Sequence, residues 1–435
     1  MFYNICDFGA VGDGKTLCTG AIQAAIDACT VTGGRVAVPS GRYLSGTIRL
    51  KSNVDLHLES GAELISSLDP KDMPDLMGGF EDDNRDTGWE GGCFLLARHA
   101  ENVTISGFGR IDGRGREVFY EDDADGGSHE SPLKVRGFRP RMSFLEDVRN
   151  LTVRDVTFYD AAFWTLHMAG CRDVLIDGIR IENNERGPNN DGIDPDACRN
   201  VIIRGCVITC ADDAIVVKTT APMAKKYGDC CNILISGCIL RSHSSALKIG
   251  TETWGDIHHV TMSDCVLDQC TRGIGIWSRD GGHIHDILIH HITGSTRRYR
   301  DRVKQDSEVV VWWGKGEAVF LSATPRANVA RVPGVIDGVY MDDLHITCEG
   351  AVMIAGEKES PIRRVRIWDS SFRWERQGTL TPDCLDEQPS RRGVYPHAVP
   401  TLYVRCGEEI AVCDSVSFEI DASMKDFISD APVFE

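Results

Sequence analysis

The sequence predicts an all-β chain: a right-handed parallel β-helix, a solenoid with one strand-bearing turn per repeat, closed at its start by a capping helix. Two observations carry this prediction. A seven-residue pattern recurs along most of the chain, and almost no helical periodicity lies between its copies. The pattern is a polar residue, alternating apolar positions, often Gly or Asp, then a small or apolar residue. It reads Asn102-Val-Thr-Ile-Ser-Gly-Phe108, Asn150-Leu-Thr-Val-Arg-Asp-Val156, Asp173-Val-Leu-Ile-Asp-Gly-Ile179, Asn200-Val-Ile-Ile-Arg-Gly-Cys206 and Asn232-Ile-Leu-Ile-Ser-Gly-Cys238. It continues as His259-Val-Thr-Met-Ser-Asp-Cys265, Asp286-Ile-Leu-Ile-His-His-Ile292, Gly338-Val-Tyr-Met-Asp-Asp-Leu344 and Arg364-Val-Arg-Ile-Trp-Asp-Ser370. First residues are separated by 48, 23, 27, 32, 27, 27, 52 and 26 positions. The two long intervals are close to double the unit, and each is expected to hide a less regular turn. Apolar second and fourth positions give the period of two that marks a strand, and the short spacing leaves no room for crossover helices.

The elements follow in order. Thr19–Thr30 places Ile22, Ala25, Ile26 and Cys29 on one helical face, Gly33-Gly34 ends the helix, and Arg35-Val-Ala-Val-Pro39 begins the strands. This helix covers the open end of the coil, whose unpaired strand edge would otherwise invite aggregation. Position seven is Cys206, Cys238 and Cys265 on three consecutive repeats, which predicts an interior ladder of thiols. The polar stretch 376–400 reads as a long loop before last strands near Tyr403 and Val416–Ile420. The whole of 1–435 is expected to be one domain, with the cap and first strands in 1–65 and the closing loop and strands in 376–435.

Composition narrows the function. The 435 residues carry 47 basic and 65 acidic side chains, a formal charge of −18, which argues against a nucleic-acid partner. No apolar run is long enough to span a bilayer, so no membrane partner is expected. The first residues show neither a basic nor an apolar signal region, and seventeen cysteines without an export signal read as buried hydrophobes in a reducing compartment. The cytoplasm is the expected location. Cys230-Cys231 and Cys206/Cys210 lack paired CxxC spacing, so no metal cluster is expected.

Carboxylates gather in two places. Asn189-Asn-Asp-Gly-Ile-Asp-Pro195 packs Asp191 and Asp194 into a loop before a strand, and Ala211-Asp-Asp-Ala-Ile-Val-Val-Lys218 sets Asp212 and Asp213 before another. Asp191 and Asp213 are 22 residues apart, about one coil turn, and neighbouring rungs lie about 4.8 Å apart. The three acids Asp191, Asp212 and Asp213 are thus expected to converge on one groove. Like charges so placed raise one another's pKa, a route to a protonated acid beside an ionised base at neutral pH.

With these motifs the sequence resembles the polygalacturonase family of pectin-degrading glycosidases, glycoside hydrolase family 28. The resemblance begins with Asp7-Phe-Gly-Ala-Val-Gly-Asp-Gly-Lys-Thr16 and Ala21-Ile-Gln-Ala-Ala-Ile26. It runs through Gly109-Arg-Ile-Asp-Gly-Arg-Gly115, Arg139-Pro140 and Phe163-Trp-Thr-Leu-His167, and is most specific in the NxDGID motif followed by the paired acids. It implies that Asp212 protonates the glycosidic oxygen while Asp191 and Asp213 activate water, with inversion, and that no metal or organic cofactor is needed. Two opposed carboxyl functions suit glycosidic hydrolysis on chemical grounds as well.

The chain departs from the family where substrate is bound. The family's Gly-His-Gly is replaced by Ser244-Ser-Ala246, leaving Ser245 at the His position, with His243 as a substitute or a surface residue. Asp213 and Ser245 each fall 13 residues past their repeat start, and Arg272 continues the row. The uronate-gripping Arg-Ile-Lys is replaced by Gly275-Ile-Trp277. Arg279, Lys218 and Lys248 are the candidate cations, Trp277 offers an apolar face for a sugar ring, and Asn189 flanks the first acid. In Trp312-Trp-Gly-Lys-Gly-Glu317 one of the two Trp, taken as Trp313, is a further stacking candidate, since strand neighbours point opposite ways. His167 reads as structural.

These departures favour exo-action on short galacturonic acid- or rhamnogalacturonan-type oligosaccharides over endo-cleavage of polymer. Segments 66–95, 115–137 and 296–306 are expected to wall the groove. Two other classes share the architecture: a calcium-dependent lyase using Asp191, Asp194, Asp212 and Asp213 with Arg279 as base, and a non-catalytic glycan-binding coil. The oligomeric state is not encoded in any feature of the sequence.

Overall fold

The computed structural model describes residues 1–74, 91–121, 132–299, 314–327 and 331–435. They form two compact units, one from the described residues of 1–121 and 133–211, the other from the described residues of 212–435. Each is a right-handed parallel β-helix, whose strands pair in parallel with their counterparts one coil turn away.

In the first unit helix α1 (Thr19–Thr32) buries Ile22, Ala25, Ile26 and Cys29, the predicted face, and runs two residues past the predicted end. Strand β1 (Gly34–Val38) follows at once; a Cβ on Gly34 would lie 2.3 Å from the Met1 carbonyl oxygen, so only glycine fits there. The next rungs are β2 (Val54–Leu58), β3 (Cys93–Gly107), β4 (Arg141–Arg154), β5 (Leu166–Ala169), β6 (Arg172–Asp177), β7 (Ile193–Asp196) and β8 (Arg199–Arg204). Register stacks Val36, Leu56, Ile105, Val153, Ile176 and Ile203 in one fully buried column.

The polar first position of the repeat has its own reason. Asn53, Asn102, Asn150, Asp173 and Asn200 all adopt left-handed backbone, φ between 54 and 62°, a conformation that Asn and Asp tolerate better than other L-residues. Their side chains continue the stack: Asn102 donates to Asn53, Asn150 to Asn102 and Asn200 to Asp173, each at 2.8 Å. The pattern is a strand preceded by a corner.

The second unit repeats the design with β9 (Ile215–Thr219), β10 (Cys230–Ser236), β11 (Ser245–Thr253), β12 (Ile257–Ser263), β13 (Arg272–Ser278), β14 (Ile284–Thr296), β15 (Glu317–Ala323) and β16 (Ile336–Cys348). One buried column is Ile233, Val260, Ile287, Val339 and Val365; another is Ile215, Leu247, Ile274 and Val319. A short helix α2 (Ala221–Tyr227), not foreseen from sequence, opens with Pro222 in its first turn and ends at Gly228.

Two expectations change. Val103 is registered with Leu151, and Ile287 with Val339, so each long repeat interval is one coil turn lengthened by a loop and hides no extra turn. The predicted wall segments 66–95, 115–137 and 296–306 fall in large part outside the described residues. Cys206 in the first unit and Cys238 and Cys265 in the second are buried as predicted. Each donates its thiol to the carbonyl two residues back, at 3.3, 3.4 and 3.2 Å. Strands form at Leu402–Arg405 and Ser417–Ile420, near the expected positions, but are not the last, since short strands Ile428–Ser429 and Val433–Phe434 follow; an antiparallel hairpin (Cys384–Asp386 with Val394–Pro396) braces the loop before them.

Candidate active site

The first unit presents Asn189 and Asp191 on the turn that enters β7. Fully buried Arg139 donates to the Pro188 carbonyl (2.8 Å) and to Asn189 Oδ1 (3.2 Å), so Asn189 shapes the turn. Asn190 pins it from the other side: its Oδ1 accepts from the Ala211 amide and its Nδ2 donates to the Asn184 carbonyl. Asp191, thus placed, is 3% exposed. Asp194 and Asp196 are wholly buried on β7, Asp194 registered with His167. His167 lies 2.8 Å from Arg141 Nη1 through Nδ1 and 3.3 Å from Asp196 through Nε2, which confirms its structural reading. Burial holds the Arg141 guanidinium down to about 9, against the opposing pull of Asp194, Asp196 and Asp191.

The second unit holds most of the predicted residues. Asp213 Oδ1 accepts from the Ser244 hydroxyl (2.9 Å) and the Ser245 amide (3.2 Å), and Oδ2 takes the Lys248 ammonium at 2.6 Å. Its carboxylate is anchored by three donors. Its neighbour Asp212 is only partly buried by surface but poorly solvated, and its carboxyl is pushed up to about 6. Burial is the chief cause and the charge of Asp213 the second; Lys248 and Lys218 oppose both. Two adjacent carboxyls with such different surroundings put a carboxyl raised toward protonation beside one ion-paired to a lysine.

Several substrate-binding expectations need correction. Trp277 is 1% exposed: it lies across Gly275, where a Cβ would meet its ring at 2.1 Å, and its centroid is 4.7 Å from Lys248 Nζ. It buttresses the lysine that holds Asp213 and is closed to a sugar ring. Arg279 is fully buried just past the end of β13. Its guanidinium donates to the carbonyls of Pro389, Ser322 and Glu387, so it ties down the C-terminal loop and is not a free clamp. Arg272, registered with Ser245 as predicted, does the same through Asp386 and Gln388 carbonyls. His243 is no surface residue; it is 5% exposed and its ring packs 3.8 Å from Tyr299. Ser245 contributes its backbone amide to Asp213. Lys218 is buried two residues beyond Val216, the partner of Lys248, and Trp313 lies outside the described residues.

Sequence reasoning missed Ser244 and the buttressing role of the Gly275–Trp277 pair. The signal for the latter was present, since a lone glycine two residues before a tryptophan on a strand leaves room for the indole to fold back.

A carbohydrate-type acid pair on a parallel β-helix defines the class, and comparison with known proteins defines the family. The model of glycosyl hydrolases family 28 matches residues 29–304, and the chain belongs to that family. A probable polygalacturonase of Vitis vinifera is 31% identical over 224 residues, covering 50% of this chain and 44% of the relative. An exopolygalacturonase of Zea mays is 26% identical over 219 residues, covering 49% and 48%. The chain thus spans about half the length of the curated relatives it matches. Among solved structures, an exopolygalacturonase from Thermotoga maritima shares the fold with a TM-score of 0.70 at 22% identity, over 96% of this chain and 92% of its own.

Proposed function

We propose that this chain hydrolyses glycosidic bonds of pectin-derived oligosaccharides, of galacturonic acid or rhamnogalacturonan type, from chain ends and with inversion. One observation carries the reading: Asp212, with its carboxyl raised to about 6, stands next to Asp213, ion-paired with Lys248, in a chain of glycosyl hydrolases family 28. Asp212 gives its proton to the glycosidic oxygen as the bond to the anomeric carbon breaks. Asp213 and Asp191 take a proton from the water that attacks the opposite face. The names of the maize relative and the Thermotoga structure support exo-action and a galacturonan substrate. The thiols that donate to backbone carbonyls suit a reducing compartment.

Product analysis on defined uronic and neutral oligosaccharides tests the reading, with proton NMR of the first-formed anomer. Monosaccharide or disaccharide release with inverted configuration, abolished in Asp212→Asn, supports it. An unsaturated, ultraviolet-absorbing product lost in chelator assigns a lyase instead, and saccharide binding with no new reducing ends assigns a non-catalytic coil.

A further inference from the structure

The second unit carries two His-His dipeptides, His258-His259 and His290-His291, on its exposed corners. Strand neighbours normally point to opposite faces. Here the second histidine of each pair sits at left-handed φ, 54° in both, and the corner swings the two rings together. The Nδ1 atoms face each other at 2.8 Å in the first pair and 3.2 Å in the second. Register then adds donors from the next rung: His258 is aligned with His285, whose ring stacks on it at 4.9 Å and 5°, and Asp286 is the corner residue beside His259.

We propose that the corner made by His258, His259, His285 and Asp286 binds a divalent transition ion of the zinc, nickel and copper class. Imidazole nitrogens with one carboxylate are the donors such ions select over calcium or magnesium. Asp286 Oδ2 lies 2.7 Å from His285 Nδ1 and 3.8 Å from His259 Nε2. Ligand atoms sharing a tetrahedral zinc ion are about 3.3 Å apart, between those two values. The three ring centroids are 4.6, 4.9 and 6.3 Å apart, against roughly 5 Å for imidazoles on one tetrahedral ion. The side chain of His259 is 58% exposed and that of His285 27%, which leaves their rings room to rotate and close the set.

Two further observations point the same way. His283 Nε2, shut off from solvent, has no hydrogen-bond partner, and its ring is 4.5 Å from His285. The arrangement also recurs. Asp343 lies 2.7 Å from His345 Nε2 and 3.7 Å from His291 Nε2, nearly the spacing at Asp286. Interleaved aspartates make either corner a poor site for an anion, because they cancel the charge that protonated histidines would supply.

The test is zinc binding by the full chain, stripped with a chelator and titrated at neutral pH against a chromophoric competitor. We expect two saturable equivalents, both retained in Asp212→Asn and unaffected by excess calcium. The double variant His258→Ala/His285→Ala should lose one equivalent, and His291→Ala/His345→Ala the other, with unchanged circular dichroism. Cobalt bound at the first corner should show visible absorption that disappears in the first variant. Unchanged stoichiometry in His258→Ala/His285→Ala, or displacement of zinc by calcium, would overturn the proposal.

Discussion

In the first unit Asp194 and Asp196 are buried beside Arg141 and His167; in the second, Asp212 and Asp213 are set against Lys248 and Lys218. Both sets take carboxylates out of water and offer cations in return. In the first, Arg141 and Asp196 both reach His167, and the cluster braces the rung behind the Asp191 turn. In the second the two acids stand in different surroundings. Lys248, Ser244 and Ser245 all go to Asp213, while the Asp212 carboxyl, which accepts from the Asp213 amide at 3.0 Å, is held up by burial and by the like charge of Asp213. The two clusters thus differ in what surrounds each carboxyl, more than in residue type.

The sharpest way to break this contrast is to remove one acid from each set. Asp212→Asn should cost turnover about 10²–10⁴-fold, the usual range for a lost general acid, measured by reducing-end release. The same variant should be the more stable protein. Lifting the carboxyl from 3.8 to about 6 destabilises its charged form by up to about 3 kcal/mol, because the folded state binds the proton more tightly than the unfolded chain. That penalty is absent below about pH 4 and complete above about pH 6, so the denaturation midpoint of Asp212→Asn should exceed the parent's at pH 7 and match it at pH 3.5. Asp196→Ala should do the reverse, losing about 3 kcal/mol in the same denaturation experiment, since it leaves the buried Arg141–His167 pair short of countercharge. Equal signs for the two variants would erase the distinction.

A smaller effect sharpens it. Lys248 holds Asp213 and also lowers the Asp212 carboxyl. In the parent, kcat/KM should fall as pH rises through about 6, where Asp212 loses the proton it must donate. In Lys248→Met that alkaline limb should move to higher pH, because a cation opposing protonation is gone, while the maximal rate drops about tenfold or more as Asp213 loses an anchor. A limb that stays in place would show that Asp212 is not the group that titrates.

Much of this was legible in the sequence. The period-two repeat, the capping helix and the cysteine row depend on local patterning, and counting 13 residues from each repeat start put Ser245 beside Arg272 in the observed register. What the sequence could not show was which donors are already committed. Arg279 and Trp277 look like binding residues until the 384–392 loop, more than a hundred positions away, takes the arginine, and Gly275 gives the indole a place to lie. The two long repeat intervals misled for a related reason, since an insertion changes spacing without changing register.

The corner row offers the mildest test, and it separates backbone from side chain. Asn150 stands at φ 56° and donates to Asn102 at 2.8 Å. Asn150→Ala puts a Cβ without a compensating amide into left-handed backbone and should cost about 1–2 kcal/mol. Asn150→Gly removes the same hydrogen bond and relieves the backbone strain, though its unfolded chain is freer, so its loss should be the smaller of the two. Urea denaturation of both variants measures the difference. If alanine and glycine cost the same, the amide stack holds the corner; if alanine costs more, the left-handed turn itself is what the polar first position of every repeat supplies.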